Sequence, residues 1–130
     1  MSFSTYILAL ILAAPFIQTK NEYYVLFRKI DNRVNIYMED SLIYQSKLID
    51  GNPEDLNLKV DISEHLRQGP NKLRVELING SGEGFFEKDS YWEIFYEIFK
   101  NEDPIDYMSE KSSNGTTGLV FSFTHEIYIE

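Results

Sequence analysis

The chain has 130 residues, no cysteine and a formal net charge of −9. That length holds one domain. The missing thiols exclude disulfides, thiolate metal sites, cysteine nucleophiles and a cysteine-linked lipid anchor, and the negative charge argues against nucleic-acid backbones and anionic membrane surfaces as partners.

In chain order, the first feature is an apolar run from Tyr6 to Ile17, interrupted by Pro15. It is too short to cross a ~30 Å hydrocarbon core as a helix but has the length of the apolar segment of a secretory signal peptide. Residues 1–19 are accordingly read as a signal peptide and 20–130 as the mature domain, with no direct membrane insertion of that domain. No Lys or Arg precedes the run and no Ala-x-Ala site follows it, so the alternative stays open that it forms a buried strand or helix of the fold. Every charged residue lies at or after Lys20. Export without cysteine fits a secreted or periplasmic bacterial location better than a disulfide-rich one.

From Asn21 onward the apolar residues alternate. Tyr23, Val25 and Phe27 predict one strand. Val34, Ile36 and Met38 predict a second, and a Glu39–Asp40 turn leads to Leu42 and Tyr44. Leu56, Leu58, Val60 and Ile62 alternate with polar residues, as do Leu73, Val75 and Leu77. Ser63 to Gln68 is long enough for one helical turn, with Ser63 as its cap and Gly69 at its end. Trp92, Ile94, Tyr96 and Ile98 mark a longer strand, and Asn101 to Ser113 reads as a loop. The last strand carries Leu119, Phe121, Phe123, His125, Ile127 and Ile129 on one face. Asp50-Gly-Asn-Pro53, Gly69-Pro-Asn71, Asn79-Gly-Ser-Gly82 and Asn114-Gly115 punctuate these runs. The pattern predicts an all-β, two-sheet antiparallel jelly-roll sandwich of about eight strands with one short helical turn.

Arg33-Val-Asn-Ile-Tyr-Met-Glu-Asp-Ser-Leu-Ile-Tyr44 is followed by Leu58-Lys-Val-Asp-Ile-Ser-Glu-His-Leu-Arg-Gln-Gly-Pro-Asn-Lys-Leu-Arg-Val-Glu-Leu77. The pair resembles the sugar-binding jelly-roll domain of β-galactosidase and β-glucuronidase-type glycoside hydrolases, within the galactose-binding-like fold. That family carries a V-x-V-N-G-x hairpin and then V-D-I-T-x-x-L-x-x-G-x-N-x-L-x-V; here Glu39 and Asp40 replace the Asn-Gly pair. The resemblance implies a jelly roll that accompanies carbohydrate-active proteins, and in such hydrolases this domain often packs beside the catalytic barrel without touching substrate. In the second segment Asp61 or Ser63 can accept from the opening amides of the helical turn, Leu66 tucks under the sheets, and Asn71 holds the loop through its side chain.

Chemistry-bearing constellations are few. His65 reads as solvent-facing and His125 as a hydrogen-bonded core or rim histidine. The acidic residues single out no general-acid pair, no phosphate or dinucleotide fingerprint occurs, and the chain reads as a non-enzyme. Asn79-Gly-Ser81 and Asn114-Gly-Thr116 match glycosylation acceptors. Asp50, Asn52, Glu54 and Asp55 offer oxygen ligands within one loop, so a structural calcium is the one cofactor considered; a solvated acidic loop is the plain alternative. In Tyr91-Trp-Glu-Ile-Phe-Tyr-Glu-Ile-Phe99, an inward Trp92 row leaves Tyr91, Glu93, Phe95, Glu97 and Phe99 facing out. Rings alternating with carboxylates suit a sugar, whose C–H faces stack while its hydroxyls donate. A partner protein or simple packing under the 101–113 loop would use the same residues. The leading expectation is a noncatalytic carbohydrate-binding or accessory module of an exported protein, with a glycan partner. The alternative is a structural or protein-interaction sandwich of a cell-envelope assembly.

Overall fold

Residues 20–49, 53, 55–80 and 91–130 are described in a computed structural model. Among them lie eight strands: β1 (Tyr23–Asp31), β2 (Arg33–Met38), β3 (Ser41–Gln45), β4 (Leu58–Asp61), β5 (Gly69–Asn79), β6 (Trp92–Lys100), β7 (Asp103–Ser112) and β8 (Gly118–Ile129), with a 3₁₀ turn at Ser63–His65. They form two antiparallel sheets, ordered β4-β1-β6-β7 and β3-β2-β5-β8. Apart from the β2–β3 and β6–β7 hairpins, each connection passes from one sheet to the other. The expected all-β sandwich is the observed one, and its core is the layer where the inner rows meet. Phe27, Ile36, Val75, Ile94, Tyr96 and Ile98 are among its fully buried members. The possible signal segment, 1–19, lies outside the described residues.

The motif at 58–77 is explained by its hydrogen bonds. The Asp61 Oδ1 accepts from the Ser63 amide at 2.8 Å, which holds the Asp61 carboxyl below the ordinary carboxylate range. Ser63 does not cap the turn as expected; its hydroxyl instead accepts from the Tyr23 amide at 2.8 Å and donates to the Tyr23 carbonyl at 3.1 Å. Leu66 packs against the core. Gly69 sits at φ +92, a conformation that glycine tolerates and L side chains avoid. Asn71, fully buried, accepts from the Arg67 amide and donates to the carbonyls of Arg67, Gly69 and Ile127. It joins the turn to β8 as well as to itself.

The β2–β3 turn places both Glu39 and Asp40 in the left-handed region, φ 48 and 67, the twist that a two-residue hairpin needs. Asn-Gly would do this at less cost. Here β5 compensates: Glu39 Oε1 accepts from the Lys72 amide at 2.8 Å, and Arg74 donates to Asp40 at 2.6 Å while stacking on Tyr37.

Two expectations fail for one reason, an extra residue in one strand that flips the rows beyond it, and a third fails for another. A bulge between Leu77 and Ile78 pairs Phe121 with inward Leu77 but Leu119 with outward Ile78, so Leu119 leaves the predicted row and is 55% exposed. A bulge at Ile43 puts Leu42 opposite Tyr37 and Tyr44 opposite Ile36, on different faces rather than one. The segment 101–113 is a two-residue turn and the strand β7, not a loop. Its side chains are nearly all exposed, so it carries no apolar alternation to detect.

Trp92 is 5% exposed, and its indole N–H has no acceptor among the described residues. Its contribution is therefore packing. Trp92→Ala is expected to cost about 3–5 kcal/mol, read as a drop in denaturant midpoint and melting temperature. An unchanged midpoint would mean that β6 presents its other face to the core.

Candidate functional site

Strand β6 has a neighbour on each side, and its even residues fill the core. Glu93, Phe95, Glu97 and Phe99 therefore stand half-buried on the outer face of the sheet, as the alternation predicted. Tyr91 just precedes the strand. At about 3.3 Å per residue the row from Tyr91 to Phe99 extends over roughly 27 Å, too far to converge on one sugar ring. The structure divides it into three parts.

At one end, the Tyr91 hydroxyl donates to Glu93 at 2.6 Å. That bond to a carboxylate, helped by partial burial, pushes the Tyr91 hydroxyl up to about 12. At the other end, Phe99 stacks on Tyr24 of β1, ring centroids 5.0 Å apart and planes within 6°. Lys59 lies 4.3 Å above the Tyr24 ring and pairs with Glu22 at 2.6 Å. This cluster consumes its own ring faces.

The middle of the row is concave. Phe95 and Glu97 line a cavity of about 430 Å³ with Pro104, Ile105, Asp106 and Tyr107 of β7. Its cause is another bulge: Ile98 pairs with Asp106 but Phe99 with Pro104, leaving Ile105 as the extra residue. Bulges bend an edge and re-aim side chains; this one leaves Ile105 47% and Tyr107 68% exposed beside Phe95. A second bulge, between Phe27 and Lys29, leaves Arg28 as the unpaired extra residue of β1, on the same outer side as Tyr24 and Leu26. Arg28 Nε donates to Glu97 Oε1 at 3.1 Å and Nη1 to Asn57 Oδ1 at 2.6 Å. The guanidinium holds the carboxylate oriented at the cavity wall. The pocket thus keeps Phe95 and Glu97 from the predicted set and adds Tyr107, Ile105 and Pro104. Sequence reading missed these additions because 101–113 passed for a loop; the clue was Tyr107, an aromatic in a segment rich in acids.

The candidate calcium ligands Asp50, Asn52 and Glu54 lie outside the described residues. Asp55 is described and exposed. It borders a second concavity of about 550 Å³ between β3 and β4, with Tyr44, Ile49, Leu56 and Leu58 among the walls; burial raises the Tyr44 hydroxyl above its ordinary range. Among the described residues no cluster of three His, Asp or Glu side chains has metal-site geometry. The acceptor asparagine Asn79 is fully buried and donates to the Thr116 carbonyl at 2.8 Å, which leaves it no surface for a glycan, whereas Asn114 is exposed.

One Asp–His–hydroxyl chain does exist. Asp106 Oδ2 lies 2.6 Å from His125 Nδ1, and His125 Nε2 lies 2.6 Å from the Tyr96 hydroxyl. Its third member is buried completely, out of reach of a substrate. Burial raises the Tyr96 hydroxyl well above its ordinary range, with the Asp106 charge adding to it. One proton arrangement satisfies every group: neutral His125 donates from Nδ1 to Asp106 while Tyr96 donates to Nε2. The chain joins β6, β7 and β8, and so ties the two sheets together at their open side. His125 is thus the hydrogen-bonded core residue expected; His65 is exposed.

Tyr96→Phe leaves His125 Nε2 buried without its partner and is expected to cost about 1–3 kcal/mol, measured by equilibrium denaturation. A neutral outcome would mean that the hydroxyl contributes nothing net across the sheets.

Comparison with protein-family models, with curated proteins and with solved structures gives no match.

Proposed function

We propose that the chain is a noncatalytic carbohydrate-binding or accessory module whose ligand site is the cavity between β6 and β7. The observation that carries the reading is the juxtaposition of the Phe95 and Tyr107 side chains with an Arg28-held Glu97 carboxylate around about 430 Å³. That volume lies within the usual range of small-ligand pockets and accepts about one pyranose. The rings supply apolar area for sugar C–H faces, and the carboxylate accepts from ring hydroxyls. Pairing with Arg28 fixes the orientation of Glu97 at the cavity wall. The resemblance at 33–77 to sugar-binding jelly rolls supports the same class, as does the outward aromatic row itself.

Affinity electrophoresis through gels containing plant, bacterial or algal polysaccharides tests this. The native chain is expected to be retarded by at least one of them. Phe95→Ala and Tyr107→Ala should each weaken that retardation about ten-fold, the loss of roughly 1.4 kcal/mol, with melting temperature unchanged for Tyr107→Ala. Retardation that survives both substitutions would remove the cavity from consideration, and no retardation on any polysaccharide would remove the class.

Export belongs to the proposal, on the strength of the apolar run at Tyr6–Ile17. Mass spectrometry of extracellular or periplasmic material should then show a chain lacking about residues 1–19; an intact amino terminus there would contradict it.

A further inference from the structure

β7 and β8 are the last strands of their sheets on the same side of the sandwich, and among the described residues neither has a strand on its outer edge. An unpaired edge presents a row of backbone donors and acceptors to any extended chain. The two edges differ in their protection. β7 carries Pro104, Lys111 and several acids, the usual deterrents to pairing, whereas Gly118–Ile129 holds no proline and no lysine. β8 is the receptive edge.

The side chains that face the gap are equally one-sided. On β8 the inward row contains Phe121, Phe123 and His125. Phe123 packs on His125 with centroids 4.8 Å apart, yet stays 41% exposed although its row faces the interior. On β7 the residues paired with Ile98, Tyr96 and Ile94 are Asp106, Met108 and Glu110, so two carboxylates share the inward parity of buried neighbours. Asp106 is bonded by His125 on Oδ2 and accepts from the Tyr107 amide on Oδ1 at 2.8 Å, yet its side chain is still 50% exposed; Glu110 is exposed. No lysine or arginine stands on either inward row. Among the described residues the gap has an aromatic wall, an acidic wall and two unpaired backbone edges, of which only that of β8 lacks proline and lysine.

We propose that this side of the sandwich receives an extended strand of a partner protein, paired along β8, whose inward-facing residues are aliphatic and basic. Backbone hydrogen bonds along β8 give affinity, and the side chains give selectivity: aliphatic groups cover Phe121 and Phe123, while lysine or arginine meets Asp106 and Glu110. A second copy of this chain is a poor occupant, because it repeats the acidic row and brings a net charge of −9 against −9. The surface shares Asp106 with the wall of the cavity at Phe95 and Tyr107 but otherwise differs from it, since that cavity opens on the outer face of the β4-β1-β6-β7 sheet.

The test is a titration of the full chain with a synthetic extended peptide that alternates threonine with valine and lysine, against a peptide with glutamate for lysine. Amide hydrogen exchange is followed in parallel. The lysine peptide should bind and slow exchange along β8, and the glutamate peptide should not. Glu110→Lys, an exposed substitution, should weaken the lysine peptide about ten-fold or more. Equal binding of both peptides, protection confined to other strands, or undiminished binding by Glu110→Lys would overturn the proposal. So would sedimentation showing that the chain dimerises through β8, which would assign the edge to a second copy.

Discussion

Everything in this molecule hangs on which way β6 faces. The strand lies between β1 and β7, and its two rows do different work: Trp92, Ile94, Tyr96 and Ile98 fill the inter-sheet layer, while Phe95 and Glu97 stand outside. Because side chains alternate strictly, a slip of one residue would bury two carboxylates and expose a tryptophan. The register is therefore over-determined from the inside. Phe27 meets Tyr96 with ring centroids 5.4 Å apart, and Tyr96 in turn reaches His125 on the opposite sheet. The outer row inherits its position from the core at no additional cost, and that rigidity is what a preorganised surface requires.

Departures from strict alternation then shape the surface. The extra residue at Ile105 hollows the outer face, the one at Arg28 brings a guanidinium to the Glu97 carboxylate, and the one in β8 ejects Leu119. Each is a local change with a displaced consequence, since a bulge costs one unpaired residue but reassigns every side chain beyond it. The concavity thus lies at the irregularity of β7, while that of β1 flanks the same stretch of β6 from the other side.

How much of this was legible in the sequence follows from the same logic. Rows that are half buried announce themselves, so the strands carrying Val25, Ile36, Val75 and Ile94 were readable, as were the roles of Asn71 and Leu66 in a motif with fixed spacing. Bulges leave no mark on composition, and so the true faces of Leu42 and Leu119 could not be read. β7 was invisible because an edge strand with solvent on most of its surface has no apolar period at all. Since β7 forms one wall of the cavity, half of the candidate site was hidden with it: Phe95 and Glu97 could be named, Tyr107 and Ile105 could not. The Asp106–His125–Tyr96 chain was foreseen at its histidine alone, because its partners come from strands 19 and 29 residues distant.

The position of β1 has a kinetic side. This strand is the first in the chain among the described residues, yet it lies inside its sheet, and the Glu22 amide at its base is closed by Asn101, 79 residues away. Nothing completes the sheet around β1 until the chain has been synthesised past residue 100. Partners so remote in sequence make for slow, late folding, and a nascent chain of this topology emerges from the ribosome with its first strand still open on one edge. That is a liability in a crowded cytosol. Under the export proposed above, in which a chain is threaded through a translocation channel before it folds, the same delay would be an advantage.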